Sequence, residues 1–416
     1  MSQFTLIQNG DVYAPEPIGR PDVLMCLNNI LKVGDVDQKH LAAAGFEVEV
    51  IDAEGCLVTP GFIDPHEHLL GGSGEEGFST QTPEIAATEI VSAGITTVVG
   101  CLGVDTTMKT MAGLLAKCKG LKEEGLNSFV WTGGYRTPPQ TVTDSISGDI
   151  MFVDEVIGVG EMAIADERSS EPTPQELARI ASEAANAGKL SNKAGRIHFH
   201  VGSKENRLEL LFNLVKDFNV LAEWFYPTHI NRSEELIKEA IELAKQGAFV
   251  DIDVVDEDLK KQLDVYFRNG GPADKLTISS DASKTSPRNL YDQIGKCFLE
   301  KQYPLERLLP VVTSNTAAAL KLPMKGAVKQ GNFADVLVID AGTFEIQHVF
   351  SKGKWLFKNG RLNFKEAFLE NSNRLVRLDG EKRSDSEAIK PASQPEENNG
   401  HLNNSVEQVN TRDHAA

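Results

Sequence analysis

Long apolar runs are missing from this chain of 416 residues, and none is extended enough to cross a bilayer. Nor does a basic segment followed by an apolar one open it, so it reads as a soluble, cytoplasmic protein without a membrane partner. Cysteine is scarce: Cys26, Cys56, Cys101, Cys118 and Cys297 are scattered with no CxxC spacing. That pattern argues against a disulfide framework or a cysteine zinc knuckle and fits reduced thiols, with Cys101 read as a packing residue. Positive charge is in deficit, 42 basic against 60 acidic residues, and the net charge of -18 repels phosphate backbones and anionic lipid. Nucleic acid is therefore excluded as an expected partner, and small-molecule chemistry is left. Aromatic residues are absent from about Gly380 onward, where Asn, Ser, Glu, Asp and Lys dominate. Residues 380–416 read as a disordered polar tail.

What is present is a hydrophobic content of 41%, enough for a barrel-sized domain and a smaller companion. Residues 1–58 read as short strands of alternating polarity, the N-terminal part of a small β domain. Over 59–325, eight β-branched or aromatic runs alternate with helix-like segments: "VTPGFIDPHEH", "ITTVVGCL", "SFVWTGG", "VIGVGEM", "RIHFHVG", "AEWFYPTHI", "FVDIDVV" and "KLTISSD". Strand and helix in eightfold alternation is the sequence form of an α/β (β/α)8 TIM-like barrel. Two of the intervening helices are predicted over 173–188 and 232–247, opening on Thr or Ser and closing on glycine. Residues 326–379 return to strand and turn, completing a small β-sandwich domain from both chain ends.

Catalytic groups of such a barrel project from the C-terminal ends of its strands. There the first run carries His66 and His68, which share a face because strand side chains alternate. The fourth carries Glu161 inside a valine-rich strand, where an unpaired acid is costly. The fifth carries His198 and His200, the sixth His229, the eighth Asp281, so that five of the nine histidines lie on strand ends. A lone strand-end histidine is usually a hydrogen-bonded core or surface residue; this many on one rim, with two acids, point to metal. Imidazole and carboxylate suit Zn2+, the number of donors suits two ions, and a carboxylate on the middle strand can bridge them. His198 lies one layer deeper than His200, which favours packing or a hydrogen bond to a ligand. "GSGEEG", Gly72 to Gly77, matches GxGxxG, but its two glutamates would oppose a pyrophosphate. It reads instead as a flexible loop that lets Glu75 approach the rim.

"PGFIDPHEH" resembles the signature of the amidohydrolase superfamily, and "HLLGGSGEEG", "TGGYRTPP", "ADERS", "PTHINR" and "KGAVKQGNFADVLV" resemble the isoaspartyl dipeptidases within it. The likeness spans residues 1 to 365. It implies one metal site at His66, His68 and Asp281 and a second at His200 and His229. It further implies that Glu75 holds the substrate ammonium, that Tyr135 lies near the scissile carbonyl, and that Arg168 and Arg232 grip carboxylates. A β-aspartyl dipeptide carries one ammonium and two carboxylates, the complement of one acid and two arginines. The family also implies a homo-oligomer, often octameric.

Three positions depart from the family pattern. Better-known members bridge their metals with a carboxylated lysine on strand four, whereas this chain offers Glu161, as the adenine deaminase branch does. The strand reads one residue longer than the lysine version, and a bulge beside glycine could re-aim the shorter side chain. Val104 stands where threonine is usual, removing hydrogen bonds, and Thr285 where serine is usual, as a substrate contact. The resulting expectation is hydrolysis of the β-aspartyl peptide bond by a hydroxide between two zinc ions. Asp281 is the proton carrier and Tyr135 the oxyanion donor. The alternatives are another amidohydrolase, acting on cyclic amides or adenine-like substrates, and a non-catalytic scaffold.

Overall fold

The computed structural model describes residues 4–255 and 258–370. The predicted tail at 380–416, and the last residues assigned to the small β domain, lie outside the described residues. All eight runs read as strands form strands: Phe62–Glu67, Ile95–Gly100, Asn127–Thr132, Val156–Ile164, Ile197–Val201, Phe225–Thr228, Val250–Asp253 and Leu276–Ser279. The first six pair successively in parallel and the last two pair with each other. The sixth lies beside the seventh. The eighth returns to the first, where His68 N–H donates to Ala282 O at 2.9 Å. The sheet thus curls round on itself as a (β/α)8 barrel.

A helix follows each strand, and the largest apolar cluster fills the layer between strands and helices. The helix at Pro174–Ser191 opens on Thr173, which with Glu176 forms a reciprocal capping box. It runs past Gly188, where the sequence suggested an end. Gly188 lies against Gly195, and a Cβ there would meet Gly195 Cα at 2.5 Å, so this glycine serves close packing and not termination. The helix at Glu234–Lys245 opens on Ser233, which accepts from Leu236 N–H. A second apolar group, with Ile63, Val99, Trp131, Ile157, Tyr226 and Phe249, fills the barrel's interior below the rim.

Two further sheets come from both ends of the chain. One contains Phe4–Gln8, Val23–Cys26, Asn29–Val33 and Val48–Asp52; the other joins Asp11–Val12 and Cys56–Pro60 to strands between Val336 and Leu362. They share an apolar core of residues such as Ile7, Val23, Met25, Val58, Val336 and Phe350. Strand Cys56–Pro60 leads almost directly into the first barrel strand, which ties that strand's register to the small sheets. Among the described residues no helix is long and apolar enough to cross a membrane.

Candidate functional site

Six side chains converge at the C-terminal rim. His66 Nε2 stands 3.2 Å from Glu161 Oε2 and 3.5 Å from Asp281 Oδ1, and His68 Nε2 stands 3.2 Å from Asp281 Oδ1 and 3.8 Å from Glu161 Oε2. Four ligands about 2.1 Å from one zinc ion are spaced about 3.4 Å apart at the corners of a tetrahedron, and these atoms approximate that spacing. Both ring nitrogens of His66, and Asp281 Oδ1, are buried without a hydrogen-bond partner among the described residues, which suits atoms that ligate a metal. Cys101 Sγ approaches the same group, 3.9 Å from Glu161 Oε2. Its thiol is pushed up to about 12 by burial, in keeping with a packing role.

The other oxygen of Glu161 serves a second group. Glu161 Oε1 lies 2.7 Å from His200 Nδ1 and 3.2 Å from His229 Nε2. His200 faces a carboxylate on each side, since its Nε2 is also 3.0 Å from Asp166 Oδ2. Satisfying both with protons would require an imidazolium, yet burial and the nearby His229 push the His200 pKa down. A neutral ring that donates Nε2–H to Asp166 turns a lone pair toward Glu161, and a cation between them resolves the conflict. His229 is oriented the same way, its Nδ1 2.9 Å from Asp253 Oδ2. The donor set therefore fits two metal ions with Glu161 shared.

Glu161 reaches both groups because strand four is irregular. Its pairing with strand five slips between Val159 and Met162, the extra residue anticipated beside glycine. Gly160 has φ +152°, and a Cβ on it would meet the carbonyl oxygen of His198 at 2.6 Å. Burial pushes the Glu161 carboxyl up, but the charges of His66 and His200 and hydrogen bonds from His200 and His229 hold it well below the usual range. It is an ionised acid at the centre of four imidazoles. His198 stands behind them, stacked on Trp131, with its Nδ1 3.0 Å from Tyr226 O.

A cavity of about 190 Å³ opens over these groups, lined by His68, Glu75, Val104, Tyr135, Arg168, His200, Arg232 and Asp281 among others. Arg168 is fixed from two sides: its Nε and Nη2 donate to Asp166 at 2.9 Å, and its Nη1 donates to Glu75 at 2.7 Å. Arg232 Nη1 approaches the same Asp166 at 3.6 Å. Tyr135 Oη is 2.7 Å from His200 Nδ1, and burial together with Glu161 keeps its phenol well above the ordinary pKa, hence protonated. Thr285, expected as a substrate contact, is not on the wall: its hydroxyl is buried without a partner among the described residues, and Ser283 and Lys284 face the cavity instead. Asp166, Asp253 and Lys284 were not singled out in the sequence. Asp166 lies two residues before Arg168 in "ADERS", and Asp253 lies in the seventh strand run "FVDIDVV".

A closed barrel with paired imidazole and carboxylate donors on its rim is the architecture of metal-dependent amidohydrolases, and the chain belongs to the amidohydrolase family, which it matches over residues 57–356. It is similar to the β-aspartyl dipeptidase of Fervidobacterium islandicum AW-1, solved in complex with a β-Asp-Leu dipeptide, at 39% identity and a TM-score of 0.82. That likeness covers 88% of this chain and 99% of the other. Among curated proteins, the imidazolonepropionase of Geobacillus kaustophilus is 36% identical over 97 residues, 23% of this chain and 20% of that protein. The adenine deaminase of the same organism is 25% identical over 331 residues, 76% of this chain. The chain spans 52% of that deaminase and only a fifth of the imidazolonepropionase.

Proposed function

We propose that this protein is a two-zinc isoaspartyl dipeptidase, cleaving the amide that links a β-aspartyl residue to a second amino acid. The observation that carries the reading is the charge pattern of the cavity. Glu75, Arg168 and Arg232 surround the same opening as the two donor groups, and the aspartyl half of a β-aspartyl dipeptide presents the opposite charges, an ammonium and a carboxylate. The similarity to a dipeptidase solved with β-Asp-Leu supports it.

In this reading His66, His68 and Asp281 would hold one zinc ion and His200 and His229 the other, with Glu161 available to both. Zinc bound there lowers the pKa of water toward neutrality and polarises a carbonyl. The remaining steps belong to the chain's own groups. The substrate ammonium takes Glu75 from Arg168, and the freed guanidinium edge turns to a carboxylate. Tyr135, kept protonated by burial, donates to the oxygen of the attacked carbonyl as charge develops on it. Asp281 accepts the proton of the attacking water and delivers it to the departing nitrogen, so that the C–N bond breaks to give aspartate and a free amino acid. A homo-oligomer belongs to the same proposal.

The test is hydrolysis of β-Asp-Leu beside α-Asp-Leu with zinc supplied, following free aspartate. Cleavage of the β-linked peptide alone is the expected result. Cleavage of neither, with two metals bound per chain, would overturn the reading and direct the search to cyclic amides and adenine-like substrates.

A further inference from the structure

The two arginines of the cavity are equipped for one carboxylate, not two. Both stand against Asp166, which takes Nε, Nη2 and the backbone N–H of Arg168 and lies 3.6 Å from Arg232 Nη1. Two guanidinium groups and one carboxylate leave a single positive charge, which balances one anionic group of a ligand. Glu75 balances the ammonium. On the function proposed above, one substrate carboxylate then remains without an arginine to pair with.

Lys284 is the other cation on the cavity wall. It forms no ion pair among the described residues, and the residue is exposed. Its stem runs beside Gly72, where a Cβ would stand 3.6 Å from Lys284 Cγ. Lys284 therefore lines the cavity while remaining exposed. It follows Asp281 by three residues, and Ser283 between them faces the same space. Asp281 returns a proton to the departing nitrogen, so the leaving amino acid lies at this end of the cavity. The arginines stand across it, against His200.

We propose that Lys284 is a specificity-determining residue, the counter-charge for the carboxylate of the leaving amino acid, and that through it the enzyme selects β-aspartyl dipeptides with a free C-terminus. The α-carboxylate of the aspartyl residue belongs to the Arg168, Arg232 and Asp166 group. An amide-capped dipeptide, or a longer peptide whose carboxylate lies further on, lacks this contact. The inference rests on the isoaspartyl dipeptidase reading.

The experiment compares β-Asp-Leu with β-Asp-Leu amide on the wild type, Lys284→Met and Lys284→Arg, each loaded with zinc. A charge-assisted contact of this kind is worth roughly tenfold in kcat/KM. Lys284→Met is expected to lose that factor on the free acid, mainly in KM, while leaving the amide unchanged, and Lys284→Arg to retain most of it. Equal loss on both substrates, or none on either, overturns the role of Lys284 and leaves the dipeptidase reading standing. Failure of the wild type to cleave either substrate counts against the dipeptidase reading itself.

Discussion

A single carboxylate, Asp166, touches both halves of the proposed chemistry. One oxygen faces His200 and the edge of Arg168, and the other takes the Arg168 Nε and backbone N–H, so the proposed metal ligand and the arginine proposed to bind substrate are oriented by one anchor. Asp166→Asn keeps the shape and removes the charge. Replacing such a partner of a metal-binding histidine typically weakens metal affinity by about 10- to 100-fold. The expected outcome is weaker binding of one zinc ion, read by competition with a chromophoric chelator, accompanied by a higher KM for β-Asp-Leu. Unchanged affinity for both ions would remove Asp166 from the metal site. At this scale legibility followed chemistry. The paired histidines of strand one and the acid of strand four stood out because an imidazole pair or a carboxylate is anomalous in a buried strand. Asp166 and Asp253 did not, because an aspartate at or just beyond a strand end is ordinary until the fold shows which ring it faces. Thr285 was inferred from resemblance, and the backbone turns Lys284 to the cavity in its place.

Among the elements, strand four decides the geometry of the centre. An acid with a shorter stem than a carboxylated lysine has to be brought forward by the backbone, and the slipped register around Gly160 does so. A side chain at this position would strain the backbone and collide with the carbonyl of His198. Gly160→Ala is accordingly expected to destabilise the protein by about 1–3 kcal/mol and to displace Glu161. The checks are a lowered melting temperature together with metal content below two ions per chain. Full metal content at the parent melting temperature would show that the strand tolerates the change. The eight strands themselves were legible because each is a short apolar run bounded by turn or helix signals. The length of the fourth helix was not: Gly188 carries the signature of an end, and only the neighbouring Gly195 shows that it is a point of contact.

Across the whole molecule, the barrel and the small sheets are joined by buried polar groups as well as by apolar packing. Asp335 pairs with Lys325, accepts from Asn127 of the third barrel strand at 3.1 Å, and accepts the backbone N–H of Lys352 at 2.7 Å. Lys325 and Asp335 are both buried, so Asp335→Ala leaves a cation without a partner, a loss of about 3–5 kcal/mol. Thermal unfolding should register it as a marked fall in melting temperature, with the rim's metal sites intact until unfolding; no fall would mean that Lys325 finds solvent. This junction was not legible, since its members are far apart in sequence and none is unusual in its own segment. The barrel was legible from its alternation, and the charge balance turned attention to small molecules. The whole centre, as proposed, is also written in the gene. Relatives bridged by a carboxylated lysine must capture carbon dioxide before their metals can be shared, whereas Glu161 arrives with its carboxylate already in place. On that proposal the protein would mature from chain and metal alone, and added bicarbonate should leave its activity unchanged.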